Sequence, residues 1–265
     1  AGYFPVADEK IQNFYTEKYG VVHPTKAGLK IPQIFDAAIN KEVKAVWIIG
    51  EDVVQTDPNS AHVAKAMNAL DLLVVQEIFL SETAKHADVV LPGTTFLEKD
   101  GTFTNTERRV QRVNRAAEPL PGTKPDGVIV TDMMQKLGYD QKTYDADEVL
   151  AEIADVVPFF KGITRERLGK MGLQWPVKED GTDTKILHQK EFKLGKGRIK
   201  YFDFKESAEL EKNKKEYPLI LTTSRVLQHY NAATMTRRTK NIKIVDEDVL
   251  LIHPKDAKYR ELNTG

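Results

Sequence analysis

Between Ala45 and Pro92, short apolar runs alternate with helical stretches, and this alternation limits the fold more than any other feature of the chain. "AVWIIG" reads as a strand that closes on Gly50. The segment after it, "EDVVQTDPNSAHVAKAMNAL", places Asp57-Pro58 ahead of an apolar stripe at Val63, Met67 and Leu70 with helical spacing. "DLLVVQ", the short helical "SETAKHA" and "ADVVLP" then complete three strands separated by helical segments. The expected class is α/β, a parallel sheet with helices on both faces. Ligands of such open sheets lie outside the carboxyl ends of the strands, so loops 50–56, 76–79 and 92–95 are the first candidate site.

Asp100-Gly101, between "TTFLEK" and "TFTNTERRVQRV", is the strongest short-range hairpin signal. Two helices are expected next, around "DGVIVTDMMQKLG" with Gly138 as the stop and around "DADEVLAEIADVV" ending before Pro158. From "FKLGKGRIKYFDF" through "YPLILTTSR" the apolar period falls to two, with Gly195-Lys196-Gly197 read as a turn and not as a phosphate loop. The expected organisation is therefore an α/β region with a hairpin over 1–125, a helical connection over 126–190 and the start of a β-barrel-like domain over 191–265. "HPKDAKYRELNTG" is too short to complete a barrel, so that domain is expected to be incomplete and the chain to be part of a longer one.

Composition removes several classes of function. The 265 residues carry 39 basic against 39 acidic side chains, a balance that argues against a general nucleic-acid binder. No apolar run approaches the roughly 18 residues that cross a bilayer, so direct membrane insertion is not expected. With no cysteine, thiol nucleophiles, cysteine-held zinc and iron–sulfur clusters are excluded from these residues. The six histidines are scattered without metal-ligand spacing, so no metal ligand is assigned.

"GEDVVQTDPN", "VVQEIFLSETAKHADVVLPGTTFLEKDGTFTNTERRVQRVNRAAEP" and "YPLILTTSRVLQHYNAATMTRR" closely resemble the molybdopterin oxidoreductase family, and within it the catalytic (alpha) subunits of molybdenum- or tungsten-dependent formate dehydrogenases. The resemblance covers most of residues 43–238 with the motif order intact. It implies an α/β domain and a C-terminal barrel that together hold a bis-molybdopterin guanine dinucleotide around Mo or W. It also implies formate as substrate, association with the rest of the same subunit and with electron-transfer subunits, and a cytoplasmic location. The family's metal ligand, its catalytic residues and the cysteines of its 4Fe-4S cluster belong to an N-terminal part whose motifs do not occur here. No catalytic residue is therefore assigned.

Matched motif by motif, the resemblance places Gly50, Asp52 and Thr56 beside one dinucleotide, with Gln76, Glu77 and Gly93 after the next two strands. Glycine permits close backbone approach, and an acid at a strand's carboxyl end can accept from ribose hydroxyls. Asp126 matches an aspartate that accepts from guanine's ring N–H and exocyclic amine together. Arg225, His229 and Asn231 match positions that line the pterin and pyrophosphate, where a planar guanidinium suits a diphosphate. Val53 and Val226 depart from the family pattern beside two of these positions. Taken singly, the residues have plainer readings: turn glycines, helix caps at Asp52 and Asp126, and satisfied polar groups at Arg225 and His229. Arg108, Arg109, Arg112 and Arg115 alternate between the two faces of a strand and are read as structural. Two other classes share the loops: nitrate reductases and related family enzymes, and the non-catalytic large subunit of respiratory NADH dehydrogenase.

Overall fold

A computed structural model describes residues 4–178, 180–192 and 194–264. Helix α1 (Glu9–Tyr19) starts on Asp8, whose carboxylate caps Lys10 N–H, and stops at Gly20 in the left-handed region. Next come α2 (Ile31–Ile39), strand β1 (Ala45–Ile49), the single turn α3 (Val53–Thr56) and α4 (Ser60–Ala69). Strand β2 (Leu72–Glu77), a 3-10 turn at Ala84–His86 and β3 (Val89–Pro92) complete the unit. The three strands pair in parallel, as the alternation predicts, and their order in the sheet is β1-β2-β3.

Among the described residues, helices α2, α3 and α4 pack on one face of this sheet. Phe35 and Ala38 of α2, Val53 of α3, and Val63, Ala66 and Met67 of α4 pack with Ile48, Leu73, Val75 and Ala84 into one apolar core. The expected stripe of α4 is thus the buried one, and Leu70 packs at its margin. On the opposite face Ile49, Leu72 and Val89 remain 48%, 42% and 42% exposed, against the expectation of cover on both sides. Strand periodicity identifies apolar residues, but it does not say which element will lie on them.

The hairpin is displaced from Asp100-Gly101. "TTFLEK" does not form a strand: Phe96–Glu98 is a 3-10 turn, in which Glu98 Oε2 accepts from both the N–H and the hydroxyl of Thr95 at 2.8 Å. Strand β4 (Gly101–Thr104) pairs antiparallel with β5 (Arg109–Val113) through a turn at Asn105–Arg108. Asn105 Oδ1 accepts from the N–H groups of Glu107 and Arg109, so an asparagine closes this turn where Asp-Gly was expected to. Arg108 occupies the left-handed region (φ 68°), and its guanidinium bonds to the carbonyls of Trp175, Thr184 and Lys185. Arg109 donates to Glu107 and Gln174, and Arg115 pairs with Glu118. These contacts fit the structural reading of the arginines, although Arg108 belongs to the turn and not to a strand face.

Helix α5 (Asp126–Lys136) ends as expected: Tyr139 N–H bonds to Met134 O and Gly138 N–H to Gln135 O, with Gly138 at φ 85°. Helix α6 (Ala146–Val156) is capped by Asp145 and stops before Pro158. The short α7 (Arg165–Leu168) and β6 (Leu173–Gln174) follow, and β6 joins β5 antiparallel. Val110, Leu150, Ile163 and Leu168 form a second core there.

Contacts divide the chain into two units, Ala1–Arg198 and Ile199–Gly265. The second contains α8 (Ala208–Asn213), 3-10 turns at Thr236–Arg238 and Lys240–Lys243, and α9 (Pro254–Tyr259). Among the described residues no strand forms after Gln174, so "KGRIKYFDF" and "YPLILTTSR" take no regular secondary structure and have no ladder partners, and no barrel closes. Lys193, at the start of the first run, lies outside the described residues. Ile199, Phe204 and Leu221 are correspondingly exposed. A period of two gives a segment an apolar face, but pairing needs a second strand edge.

Gly172 sits at φ 71°, and a Cβ there would lie 2.3 Å from the carbonyl oxygen of Val110. Gly172→Ala is expected to cost more than the roughly 1–2 kcal/mol of a left-handed L-residue, because the clash is with backbone. Thermal denaturation should show a clear fall in Tm; an unchanged Tm would mean the β5–β6 contact contributes little.

Candidate functional site

The carboxyl ends of β1, β2 and β3 bring part of the expected set together. Gly50 ends β1 at φ 62°, and its N–H donates to Gln76 O at 2.9 Å. Gly93 N–H donates to Glu77 O at 3.0 Å, and Lys124 N–H donates to Pro92 O at 3.1 Å. The exit of β3 is thereby zipped to the segment that enters α5, which delivers Asp126 to the sheet edge. There Asp126 Oδ1 accepts from Gln76 Nε2 at 2.7 Å, and Oδ2 accepts from the Lys99 ammonium.

Gly93 is needed at this junction. A Cβ on it would lie 3.2 Å from Asp126 Oδ1 and 3.7 Å from Ile78, within the space the carboxylate uses. Gln76 is fully buried with its Oε1 unpartnered among the described residues, and so is the Oγ1 of buried Thr94 next to Gly93. Buried acceptors without donors are uncommon, and they suit a ligand that brings N–H or O–H groups. Burial pushes the Asp126 carboxyl up, but hydrogen bonds from Lys99 and Gln76, with the Lys99 charge, outweigh it and hold the group below the usual aspartate range. Its ionised-state interactions are complete above the ordinary aspartate pKa and are lost only as pH falls through the lowered value. At neutral pH Asp126 is an acceptor-only carboxylate.

The remaining expected residues are placed differently. Buried Asp52 is engaged by the segment that follows β2: Oδ1 accepts from Thr83 N–H at 2.9 Å and Thr83 Oγ1 at 2.7 Å, and Oδ2 accepts from Glu82 N–H at 3.3 Å. It caps the turn before Ala84. Thr56 donates its hydroxyl to Glu51 at 3.0 Å, and Glu77 Oε1 accepts from the N–H of Ile78 at 2.7 Å. Arg225, His229 and Asn231 belong to the second unit. Arg225 is exposed, and Asn231 takes a left-handed conformation at φ 49°. His229 Nε2 donates to Val245 O at 2.7 Å, which leaves Nδ1 to accept from the Thr236 hydroxyl at 3.0 Å. Both its ring nitrogens are therefore engaged within the chain.

Sequence reading did not single out Lys99, Glu98 or Tyr144. Glu98 Oε1 accepts from Leu120 N–H at 3.0 Å while Oε2 holds Thr95, so it ties the loop after β3 to the approach to α5. The two Thr95 bonds, backbone first, hold its carboxyl below the usual range. Lys99, Asp126, Tyr144, Phe96 and Phe103 line one cavity of about 300 Å³ between the hairpin and helices α5 and α6. The Thr-x-x-Glu spacing at 95–98 is a capping-box signal that was legible; Lys99 in a Lys-Asp-Gly run carries no such mark.

Family comparisons agree with this architecture. The Molybdopterin oxidoreductase family model matches residues 15–136, and the Molydopterin dinucleotide binding domain matches residues 219–265. The chain belongs to the molybdopterin oxidoreductase family. Among its relatives is the F420-dependent formate dehydrogenase subunit alpha of Methanocaldococcus jannaschii, 45% identical over 245 residues, covering 90% of this chain and 36% of that protein. A putative formate dehydrogenase of Staphylococcus haemolyticus is 38% identical over 266 residues, 100% of this chain and 27% of its own length. The chain thus spans between about a quarter and just over a third of the curated relatives it matches. Acetylene hydratase from Pelobacter acetylenicus shares the fold at TM-score 0.61 and 20% identity, over 98% of this chain and 38% of that structure.

Asp52→Ala is expected to lower stability by roughly 1–3 kcal/mol, because it leaves the N–H groups of Glu82 and Thr83 without their acceptor. Chemical denaturation should report this as a lower midpoint. An unchanged midpoint would free Asp52 from its capping role and return it to the ligand-facing set.

Proposed function

We propose that this chain is the cofactor-holding portion of the catalytic alpha subunit of a formate dehydrogenase, an enzyme that takes formate to carbon dioxide, a proton and two electrons. The carrying observation is the 45% identity that runs through 90% of the chain to a subunit of that name. The cofactor in this reading is a bis-molybdopterin guanine dinucleotide with Mo or W, which supplies the two-electron chemistry when bound. A 4Fe-4S cluster, the rest of the subunit and electron-transfer subunits complete the assembly, in the cytoplasm.

This chain's part is binding and orientation. Asp126, ionised at neutral pH, accepts from guanine's ring N–H and amine. Gly93 lets the nucleotide approach the backbone, and the free Oε1 of Gln76 takes a donor at the buried end of the cleft. Gly50, Thr56 and Glu77 border the same dinucleotide through the strand-end loops, with Asp52 holding the first loop in shape. In the second unit Arg225 offers a planar fork to a diphosphate or pterin, and His229 and Asn231 fix the turn that follows it.

In the intact enzyme, Asp126→Ala should lower guanine-nucleotide content by about one to two orders of magnitude in affinity, and Arg225→Lys should lose cofactor as well. Arg112→Ala should keep it. Nucleotide release and metal per polypeptide, with folding checked by circular dichroism, give the comparison; full occupancy in both site variants would remove these residues from the site. The same enzyme should oxidise formate with an artificial acceptor and fail to reduce nitrate, and the opposite result would move the chain to another branch of the family.

A further inference from the structure

The carboxylate of Asp126 can read only two of the three groups on guanine's pairing edge. It accepts from the ring N1–H and from the exocyclic amine, but O6, adjacent to N1–H, is a carbonyl that needs a donor. Lys99 bonds directly to Asp126 Oδ2 and lines the same cavity. Its side chain is 27% exposed, so the ammonium belongs to the cavity wall more than to bulk water. With three protons, it can keep its bond to Asp126 and still donate to a second acceptor beside it.

The cavity walls suit a planar base. Phe96 and Phe103 meet edge to face with ring centroids 5.9 Å apart, and both are half-exposed where they line the cavity. Exposed aromatic faces at a groove are ordinary stacking platforms for bases. Tyr144, in the lining of the same cavity, lies against Gly127: a Cβ on that glycine would come within 2.1 Å of the ring. Gly127 at the start of α5 thereby lets the Tyr144 ring sit in the cavity wall beside Asp126.

We propose that Lys99 is a specificity residue of the guanine site, donating to O6 while Asp126 accepts from N1–H and the amine. The inference rests on the guanine reading of Asp126 and extends it to the whole pairing edge. Adenine opposes both residues, because it places an amine donor toward the ammonium and a bare ring nitrogen toward the carboxylate. Lysine donation to guanine O6 is a familiar pairing wherever proteins read bases.

The test uses the intact enzyme stripped of cofactor, with guanosine diphosphate, its 6-thio analogue and adenosine diphosphate as probes in calorimetric titrations. Replacing O6 by sulfur weakens acceptance, so wild-type protein should bind the thio analogue roughly tenfold more weakly than guanosine diphosphate. In Lys99→Met, guanosine diphosphate should weaken by a similar factor and bind no better than its thio analogue, while Lys99→Arg restores the gap. Equal binding of the two probes by wild-type protein overturns the proposal without recourse to any variant. A thio penalty that persists in Lys99→Met, with binding lost in Asp126→Ala, also overturns it but leaves the guanine role of Asp126 standing. Guanosine diphosphate binding that survives Asp126→Ala unchanged overturns the guanine reading itself, and the Lys99 proposal with it.

Discussion

The carboxylate of Asp126 is the joint between the parallel sheet and the helical region. One oxygen takes the buried amide of Gln76 at the end of β2, and the other takes Lys99 beyond the 3-10 turn. Asp126 is itself the first residue of α5, with Pro125 at the cap, so its backbone starts the helix while its side chain points back to the sheet. Three segments far apart in sequence therefore meet on one group. The bond from Gln76 leaves that residue's Oε1 without a donor among the described residues, and the lack of a side chain at Gly93 leaves room for the Asp126 carboxylate. A joint with open valence at its centre is what a binding site at the carboxyl edge of an open sheet requires.

Much of the first unit was legible because its signals are local. Strand direction and the stripe of α4 follow from period and spacing, and the stops of α5 and α6 follow from Gly138 and Pro158. The hairpin was misplaced for an equally local reason. Asp-Gly is a strong turn signal, but Thr95 and Glu98 form a capping box just before it, and that box commits the segment to a 3-10 turn. The competing turn at Asn105–Arg108 is stabilised by Asn105 within the turn and by Arg108 contacts to carbonyls 67 to 77 residues away. Long-range partners of that kind are invisible to a window of ten residues.

The same limit explains the second unit. Its runs of alternating apolar residues have the composition of strands, yet no edge among the described residues pairs with them. Unpaired, Ile199 and Phe204 gain nothing from burial, and the pattern remains a potential for pairing. The exposed apolar residues of the parallel sheet are the corresponding case in the first unit: Ile49, Leu72 and Val89 each lie on one of its three strands, and periodicity alone cannot supply the layer that would cover them.

Asp52, Asp126 and His229 show how far a residue's type can separate from its task. Each has a plain structural reading and a ligand-facing one, and sequence could not choose between them. Asp52 has both oxygens engaged by backbone and hydroxyl donors of one turn, so the structure gives it the cap. His229 has one nitrogen on a carbonyl and the other on a hydroxyl, which fixes its tautomer and closes the segment from Gln228 to Val245. Asp126 differs because its partners are an amide and an ammonium that approach from the site, and a carboxylate retains lone pairs after accepting one bond at each oxygen. Capping saturates a carboxylate with fixed backbone donors, whereas a site carboxylate is held by side chains that can share it. By that criterion the aspartate that begins α5 stands apart from the capping aspartate, because two side chains, Gln76 and Lys99, hold its carboxylate.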